Sequence, residues 1–375
     1  MTSKLAIFTS QLGTASETFI RRHVEDLLPG RTVVVARNST PAFGDFWKVS
    51  CPVLFLDCWT QRLSVRLVRR VGVSEAYLRD AAVGRLLRAH GVNVVLGEYL
   101  DQFIDFVPLL YRMRIPYVVQ GHGIDLSAAL RKPGAAERNL TYRSARAVLT
   151  RCEFHRRRLI EIGLPADKIH VNPGGVDVPS EPPLRIPGAH KRFLAVGRMV
   201  PKKGPIYLLE AFRLAATQDP EITLDYIGGG QLFPAAKQFI DGCGLQERVR
   251  LHGPAPEEAK HRLFGECGVF VQHSITDPET GDEEGLPAAI QEAMAQGMAV
   301  ISTRHAGIPE AVHDGVMGWL VDERDSAGMA KAMLRISSQD GTYAQFGVAA
   351  HAKAAEIYSW AAERSRLLLH LGVPH

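Results

Sequence analysis

Cysteines are few in this chain, and they do not form a recognisable set. The five of them are Cys51, Cys58, Cys152, Cys243 and Cys267. No two have the Cys-x-x-Cys spacing of zinc sites and redox motifs, and an odd number gives no disulfide framework. The sequence therefore indicates neither a fold stabilised by a structural metal site nor one stabilised by disulfide bonds. We expect a protein of the reducing cytoplasm.

Long hydrophobic runs are also missing. No uninterrupted apolar stretch approaches the roughly 20 residues that a membrane-spanning helix needs. The N-terminal apolar run, Leu5 to Phe8, has no basic leader or small-residue cleavage site, which argues against a secretory signal. With 375 residues, of which 46% are hydrophobic, the chain is long enough for two cores. We therefore expect a soluble chain of two domains.

The charge is distributed unevenly. Residues 1–180 contain 25 Lys and Arg against 16 Asp and Glu, whereas the remainder contains 19 against 24. In the first half, Arg62, Arg66, Arg69 and Arg70 recur at three- and four-residue spacing along a predicted helix. An interfacial helix on anionic lipid has this pattern, and so has an ordinary surface helix with solvated arginines. Aromatic residues are not interleaved with the basic ones, so nucleic acid is not an expected partner.

Short β-branched runs alternate with helical stretches, which is typical of parallel sheets wrapped by helices. Four prolines in residues 179–191 predict a linker, and the alternation restarts after it. In such sheets ligands bind beyond the carboxyl ends of the strands. The predicted strands are Leu5–Phe8, Thr32–Val35, Val53–Leu56, Val92–Leu96, Tyr117–Val119, Ala147–Thr150, Phe193–Val196, Ile222–Ile227, Val249–Leu251, Val269–Val271 and Ala299–Ser302.

One predicted strand end in the second half has two cations. Gly197-Arg198 ends the strand, and Lys203 follows before a helix predicted over Ile206–Phe212. An Arg fork and a Lys point charge delivered by one loop suit a diphosphate, although a basic solvent loop has the same composition. A second turn, Ile-Gly-Gly-Gly around Gly229, allows close backbone approach to a nucleotide or is a plain turn.

Two carboxylates flank a predicted helix in the string EGLPAAIQEAMA. Glu284 precedes Pro287, a residue that suits the opening turn of a helix, and Glu292 lies on the helix. Unpaired N–H groups and the macrodipole at a helix N-terminus attract phosphate. The arrangement suits a phosphorylated, hydroxyl-rich ligand, but two solvated glutamates beside a core helix would look the same.

In the first half, glycines flank His122 in the string GHGIDLS. This pattern predicts an exposed turn and a ligand-facing imidazole, while Asp125 is interpreted as an Asx-turn or helix cap. Thr14 and Glu17 have the spacing of a capping box. Backbone amides near Gly13 are a candidate phosphate contact at the same strand end.

Together these strings resemble one family, the retaining nucleotide-sugar glycosyltransferases of family 4. The matching strings are SETFI, GHGIDLS, NPGGVD, AVGRMVPKKGPIYLLEAF, EGLPAAIQEAMA and STRHAGIPEAVHDGVMGWLV, and they span residues 16–321 in the family's order. The chain is most similar to the branch that builds bacterial exopolysaccharides such as colanic acid and amylovoran.

The resemblance implies the GT-B fold, an α/β architecture in which two Rossmann-like domains face each other across a cleft. The acceptor-binding domain would be residues 1–178, the linker 179–191 and the nucleotide-sugar-binding domain 192–353. Residues 354–375 would form a C-terminal helix, with Trp360, that crosses back to the N-terminal domain.

The resemblance also implies roles for individual residues. Arg198 and Lys203 would bind the donor diphosphate, Glu292 the ribose hydroxyls and Glu284 the transferred sugar. His122 would lie beside the sugar and the attacking acceptor. The remaining expected donor-binding positions are Gly13, Gly197, Gly229, Gly285 and Leu286.

The implied reaction moves a hexose from a nucleotide diphosphate sugar, UDP in preference to GDP, to a saccharide acceptor that is lipid-linked. Configuration at the anomeric carbon would be retained. No cofactor or metal is expected, because two cations and a helix N-terminus can meet the charge of the leaving diphosphate. An anionic membrane surface is a further expected partner, at the inner face of the cytoplasmic membrane.

The chain departs from the family pattern at two positions. Pro287 in EGLP replaces the last residue of the commoner EGFG and removes an N–H, and Gly174 in NPGGVD stands where Asn is usual. Two other functions remain open. One is a sugar-nucleotide 2-epimerase, which has the same fold and needs no acceptor. The other is an inactive relative that acts as a membrane-bound scaffold. Such a scaffold would be expected to have lost some of the five residues given roles above, which are Arg198, Lys203, Glu284, Glu292 and His122, and all five are present.

Overall fold

The computed structural model describes residues 3–13, 17–39, 49–57, 74–338 and 340–374. The chain divides into two compact units. Unit 1 comprises 1–150, 156–172 and 364–375, and unit 2 comprises 151–155 and 173–363. Among the described residues, no helix is both long enough and apolar enough to cross a lipid bilayer.

Unit 1 contains a seven-stranded parallel sheet with the order β3-β2-β1-β4-β5-β6-β7. The chain order reverses between β1 and β4, which is the switch point where doubly wound sheets bind ligands. The strands are β1 Leu5–Leu12, β2 Thr32–Ser39, β3 Val53–Phe55, β4 Val94–Glu98, β5 Tyr117–Gln120, β6 Ala147–Thr150 and β7 Ile169–Val171.

Unit 2 contains a six-stranded parallel sheet with the order β10-β9-β8-β11-β12-β13. Its switch point lies between β8 and β11. The strands are β8 Arg192–Val196, β9 Thr223–Ile227, β10 Val249–Gly253, β11 Val269–Val271, β12 Ala299–Thr303 and β13 Gly318–Val321. The two sheets confirm the predicted α/β class with two Rossmann-like folds.

Helices connect the parallel strands, as a crossover between neighbouring parallel strands requires. The α-helices are α1 Thr18–Arg22, α2 Glu75–Ala89, α3 Leu100–Phe103, α4 Val107–Met113, α5 Ala135–Asn139, α6 Glu153–Glu161, α7 Pro205–Ala216, α8 Phe233–Gly242, α9 Glu257–Glu266, α10 Ala288–Ala295, α11 Ile308–Ala311, α12 Ser326–Ser337, α13 Asp340–Ile357 and α14 Trp360–Leu371. A π-helix over His23–Leu27 continues α1.

The central strands of each sheet are largely buried, whereas the edge strands β3, β7 and β10 are partly exposed. In unit 2, every residue of β11 and β12 is buried, which explains the apolar runs at residues 269–271 and 299–301. The described core of unit 1 includes Phe8, Val95, Val119 and Val148, each from a different strand.

The predicted C-terminal helix is wrong in one respect, because the structure has two helices there. The carbonyl of Tyr358 accepts the N–H of Val176 (2.7 Å), and the N–H of Trp360 donates to the carbonyl of Val176 (3.1 Å). Because the carbonyl of Tyr358 and the N–H of Trp360 pair with Val176, they are not paired within one continuous helix, so α13 ends and α14 begins. Residues 364–375 belong to unit 1, where Arg366 Nε donates to Asn172 Oδ1 (3.0 Å).

Candidate functional site

The loop after β8 brings the predicted cations of unit 2 to the carboxyl edge of the sheet. A 3₁₀ turn over Pro201–Lys203 and a left-handed Gly204 lead directly into α7. The Arg198 side chain is exposed, whereas that of Lys203 is only 13% exposed. Gly197 closes the strand, so the loop starts at the switch point of the sheet.

Lys203 and Glu284, 81 residues apart in sequence, form an ion pair in unit 2. Lys203 Nζ lies 3.2 Å from Glu284 Oε2. Lys202 adds a second cation, with its Nζ 3.6 Å from Glu284 Oε1 and 3.0 Å from an Asp282 carboxylate oxygen. The sequence had not indicated a role for Lys202. The structure therefore brings the strand-end cation and the loop carboxylate together within unit 2.

Burial and charge act in opposite directions on these groups. Burial raises the pKa of Glu284, but Lys203 and Lys202 outweigh it and lower the pKa to about 2. Burial lowers the pKa of Lys203, and Glu284 only partly offsets this. Burial also acts to lower the pKa of Lys202, but Glu284 and Asp282 reverse the direction, and its pKa is raised. Glu284 is thus an ionised, acceptor-only group at neutral pH.

A histidine fixes the backbone of the Glu284 loop. The N–H of Glu284 donates to His305 Nε2 (3.1 Å), and His305 Nδ1 lies 2.6 Å from Glu323 Oε1. Because Nε2 accepts, the ring hydrogen is on Nδ1 and is donated to Glu323. The next residue, Ala306, has a φ of 44°, a strained conformation for a residue other than glycine. Strain held in place here is consistent with a functional loop.

Helix α10 follows this loop and carries the second predicted acid. Pro287 is the N-cap, one residue earlier than the predicted helical position, and Glu292 lies on the helix with Oε1 3.1 Å from Lys260 Nζ. Burial raises the pKa of Glu292, and Lys260 opposes this without reversing it. The Leu286 side chain is buried in the core of unit 2, so a contact from that position to a ligand would come from its backbone.

The glycine turn after β9 is explained by packing within unit 2. Gly228 has a φ of 143°, and a Cβ there would overlap the carbonyl oxygen of Gly197. The carbonyl of Gly229 accepts the N–H of Met199 (2.8 Å). The turn thus supports the loop that carries Arg198, whichever ligand that loop meets.

Gly174, the departure from the family string, also has a structural cause. Its φ is 96°, and a Cβ would overlap the guanidinium of Arg151. Arg151 is buried and lies 3.6 Å from the buried Glu363. Asparagine at this position would therefore require the arginine to move.

In unit 1, the prediction of an exposed turn at His122 is wrong. The side chain is only 8% exposed and contacts the rings of Phe19 and Tyr99, whose centroids lie 4.5 and 4.7 Å from that of the imidazole. Its Nε2 lies 2.6 Å from Glu98 Oε2. Asp125 Oδ1 accepts the N–H of His122 (2.9 Å), three residues earlier, and Asp125 itself lies within a 3₁₀ turn, so the predicted Asx-turn or helix cap is wrong.

The other predictions for unit 1 have mixed outcomes. Glu17 is the N-cap of α1 and its side chain accepts the Tyr99 hydroxyl (2.8 Å), so the predicted capping box is wrong. Its partner Thr14 lies outside the described residues. Gly13 has a φ of 87° at the end of β1. The four arginines of the predicted basic helix, Arg62, Arg66, Arg69 and Arg70, also lie outside the described part of the chain.

Several polar residues of these clusters escaped the sequence analysis. Their signal was weak: Glu98 is the last residue of the buried strand β4, and His305 follows β12, but neither lies in a spacing motif. These residues are His23, Glu98, Lys202, Lys260, His305 and Glu323.

Within the described ranges, no group of three or more His, Cys, Asp or Glu side chains is placed to hold a metal ion.

Comparison with known proteins relates both units to one family. Residues 31–179 match the family described as Glycosyltransferase Family 4, and residues 180–353 match Glycosyl transferases group 1. The amylovoran biosynthesis glycosyltransferase AmsK of Erwinia amylovora is 36% identical over 394 residues, covering 93% of this chain and 94% of AmsK. The putative colanic acid biosynthesis glycosyltransferase WcaL of Escherichia coli K12 is 32% identical over 222 residues, covering 58% of this chain and 54% of WcaL.

A solved structure shares the fold. HepE from Anabaena, crystallised in complex with UDP, superimposes with a TM-score of 0.79 at 18% identity, covering 98% of this chain and 99% of HepE. The match extends over both units. On its sequence match to AmsK and its two Rossmann-like units, the chain belongs to the family 4 glycosyltransferases and has the GT-B fold.

Proposed function

We propose that this protein is a retaining hexosyltransferase that uses a nucleotide diphosphate sugar as donor. The observation that carries the proposal is the contact between Lys203 and Glu284, 3.2 Å apart, at the strand end that also carries the exposed Arg198. Two cations and one ionised acceptor at the same sheet edge suit a ligand with an anionic diphosphate beside a hydroxyl-rich sugar.

The diphosphate is the leaving group, and its developing charge must be met by positive groups. Lys203 is available for this when the phosphate replaces Glu284 as its partner. Glu284, released from Lys203, keeps Lys202 as a cationic partner at 3.6 Å and can then accept hydrogen bonds from sugar hydroxyls. One ion pair thus prepares both ends of the donor site.

In the proposed reaction, the bond between the anomeric carbon and the diphosphate oxygen breaks, and the acceptor oxygen bonds to that carbon on the same face. The acceptor proton passes to the departing phosphate oxygen. This front-face course is the one that the family resemblance implies. It needs no enzymic nucleophile, and Glu284 acts as a hydrogen-bond acceptor.

The acceptor we propose is a lipid-linked saccharide of exopolysaccharide or cell-envelope glycan synthesis, bound through unit 1, with His122 beside the transferred sugar and the attacking hydroxyl. AmsK and WcaL, named for amylovoran and colanic acid biosynthesis, support the pathway. UDP is the proposed nucleotide, since HepE of the same fold was crystallised with UDP and with UDP-glucose. The proposed location is the cytoplasm, at the inner membrane face.

A panel of UDP and GDP sugars, scored by slow donor hydrolysis, tests this function without knowledge of the acceptor. Release of UDP from one UDP-hexose, with α configuration kept in the sugar transferred to an acceptor, is the expected result. Conversion of the donor into its 2-epimer without release of nucleotide would show an epimerase instead. A protein that neither turns over nor binds any sugar nucleotide would contradict the proposal.

Replacing Glu292 with glutamine is expected to weaken binding of the donor by about 10- to 100-fold, the effect of losing hydrogen bonds to a charged group. We propose that this carboxylate binds the ribose hydroxyls. Glu257→Gln is the matched control, since Glu257 Oε1 lies 2.9 Å from the same Lys260 Nζ but its side chain is 59% exposed. Titration calorimetry with UDP measures both. Equal affinities in the two variants would remove the ribose assignment.

Activity is expected to persist in excess EDTA and to rise less than about twofold on addition of Mg²⁺, since Arg198 and Lys203 supply the positive charge that a divalent metal gives to other transferases. Donor hydrolysis with and without EDTA measures this directly. Loss of turnover in EDTA, restored by Mg²⁺ or Mn²⁺, would show that the two cations are insufficient.

A further inference from the structure

One buried carboxylate in unit 1 holds two imidazoles at the same time. Glu98 ends β4 at the switch point of the sheet, and its side chain is fully buried. Its Oε1 lies 2.7 Å from His23 Nδ1, and its Oε2 lies 2.6 Å from His122 Nε2. Burial raises the pKa of Glu98, but the two histidines outweigh it and lower the pKa to about 2. The carboxylate is therefore ionised at neutral pH.

An ionised carboxylate can only accept hydrogen bonds, and this determines where the ring hydrogens are. His122 must present Nε2–H to Glu98, and His23 must present Nδ1–H. The other ring nitrogen of His122, Nδ1, has no hydrogen-bond partner among the described residues. Nδ1 is thus the atom of this ring that remains available to a ligand.

Two aromatic rings contact the imidazole of His122, and one aspartate binds its backbone. The ring centroids of Phe19 and Tyr99 lie 4.5 and 4.7 Å from that of the imidazole, and Asp125 accepts the backbone N–H of His122 (2.9 Å) through Oδ1. The other carboxylate oxygen of Asp125 accepts the N–H of Leu100 (2.9 Å), two residues beyond Glu98. One aspartate therefore joins the two segments that carry the carboxylate and the imidazole.

The backbone next to Glu98 is strained. Tyr99 has a φ of 65°, a conformation that is strained for a residue other than glycine. The conformation is accompanied by two contacts of the tyrosine, the ring contact with His122 and a hydrogen bond from its hydroxyl to Glu17 Oε1 (2.8 Å). Strain that accompanies an aromatic contact to one histidine indicates that the position of this histidine matters for function.

We propose that Glu98 is a positioning residue for His122: it fixes the Nε2–H tautomer, so that Nδ1 is presented as a hydrogen-bond acceptor to a hydroxyl of the bound saccharide. His23 holds the second oxygen of Glu98 and keeps the carboxylate directed at His122. The inference rests on the proposed function, in which His122 lies beside the transferred sugar.

The test uses the full-length protein with ¹⁵N-labelled histidine. In the wild type, the imidazole nitrogens of His122 should show a single Nε2–H tautomer. Glu98→Gln keeps the shape of the side chain but can donate as well as accept, so His122 should populate both tautomers. The kcat for donor turnover should fall by about 10- to 100-fold, with the donor KM changed less than about threefold.

Asp125→Asn is the control for a merely structural effect. This substitution weakens the hydrogen bonds that the backbone N–H groups of His122 and Leu100 donate to residue 125, but it leaves the Glu98 carboxylate in place. It should therefore lower the thermal stability while His122 keeps its Nε2–H tautomer. A tautomer change in Asp125→Asn equal to that in Glu98→Gln would assign the effect to backbone disorder and overturn the inference.

Two results would overturn the inference directly. One is an Nδ1–H tautomer of His122 in the wild type, which needs no variant to fold. The other is a Glu98→Gln variant with an unchanged imidazole spectrum or an unchanged kcat. The spectrum needs no substrate, so failure here is distinguishable from failure of the proposed function, which would be seen as a wild type that turns over no sugar nucleotide.

Discussion

Replacing Lys203 with alanine is expected to lower kcat/KM for the nucleotide sugar by about 10²–10³-fold, the effect of removing one charge-stabilising donor from a transition state. The ammonium is nearly buried and lies 3.2 Å from Glu284, so a phosphate that replaces this carboxylate would meet a largely desolvated cation. Electrostatic interactions are stronger in such an environment than in water. Both KM and kcat should change, because the same cation is proposed to bind the diphosphate before the reaction and to meet its growing charge during it.

Lys191→Ala is the matched control for this prediction. Lys191 directly precedes β8, whereas Lys203 follows it, and Lys191 also pairs with acids, lying 3.5 Å from Asp219 and in contact with Glu221. It lies at the opposite edge of the same sheet from the proposed site, so its removal should change kcat/KM less than about twofold. Initial rates of donor hydrolysis measure both variants. Similar losses in the two would show that the Lys203 effect is structural.

The second large effect is expected for Glu284→Gln, which should lower kcat by about 10²-fold. The carboxylate is proposed to accept hydrogen bonds from hydroxyls of the transferred sugar, and an amide accepts them more weakly because it carries no charge. Binding of UDP alone should change by less than about threefold, since UDP lacks the transferred hexose that is proposed to contact this position. Calorimetry with UDP and initial rates with the nucleotide sugar separate the two effects.

The same substitution should change the pH dependence of stability. The pKa of Glu284 is lowered to about 2 in the folded protein, so its contribution is present above the unfolded value of about 4.3 and is lost as the pH falls towards 2. Removing the carboxylate also leaves Lys203 buried without this partner. Glu284→Gln should therefore be less stable than the wild type at pH 7, and the difference should shrink on acidification.

Glu266→Gln is the control for both effects, because Glu266 pairs with Arg192 (2.8 Å) at the other end of β8 and is partly exposed. Little change in kcat and a small change in stability are expected. If Glu284→Gln lost UDP affinity and kcat to the same degree, the residue would support the nucleotide site in general, and its assignment to the sugar would be wrong.

The sheets were largely predictable because their strands are short apolar runs bounded by turn residues. Every predicted strand is present, but β7 and β13 were missed. β7 has only three residues with His170 at its centre, and β13 begins with Gly318. Such edge strands form because a neighbouring strand offers backbone hydrogen bonds, which the local sequence does not show.

The candidate site was predictable where motifs carry it and unpredictable where distant residues build it. The strand-end lysine and the loop glutamate were found, but the burial of His122 was not, because Phe19 and Tyr99 come from other parts of the chain. The break between α13 and α14 depends on Val176, about 180 residues earlier. In each case the determining contact is long-range and leaves no local periodicity.

The central claim is that Arg198 and Lys203 bind the diphosphate of the donor. Calorimetry with the nucleoside diphosphate that the donor panel selects, and with the corresponding nucleoside, tests it most directly in the wild type and in Lys203→Ala. The account predicts that the diphosphate increases the affinity of the wild type by at least about 100-fold and that most of this gain is lost in the variant. An equal gain in both proteins would contradict the account.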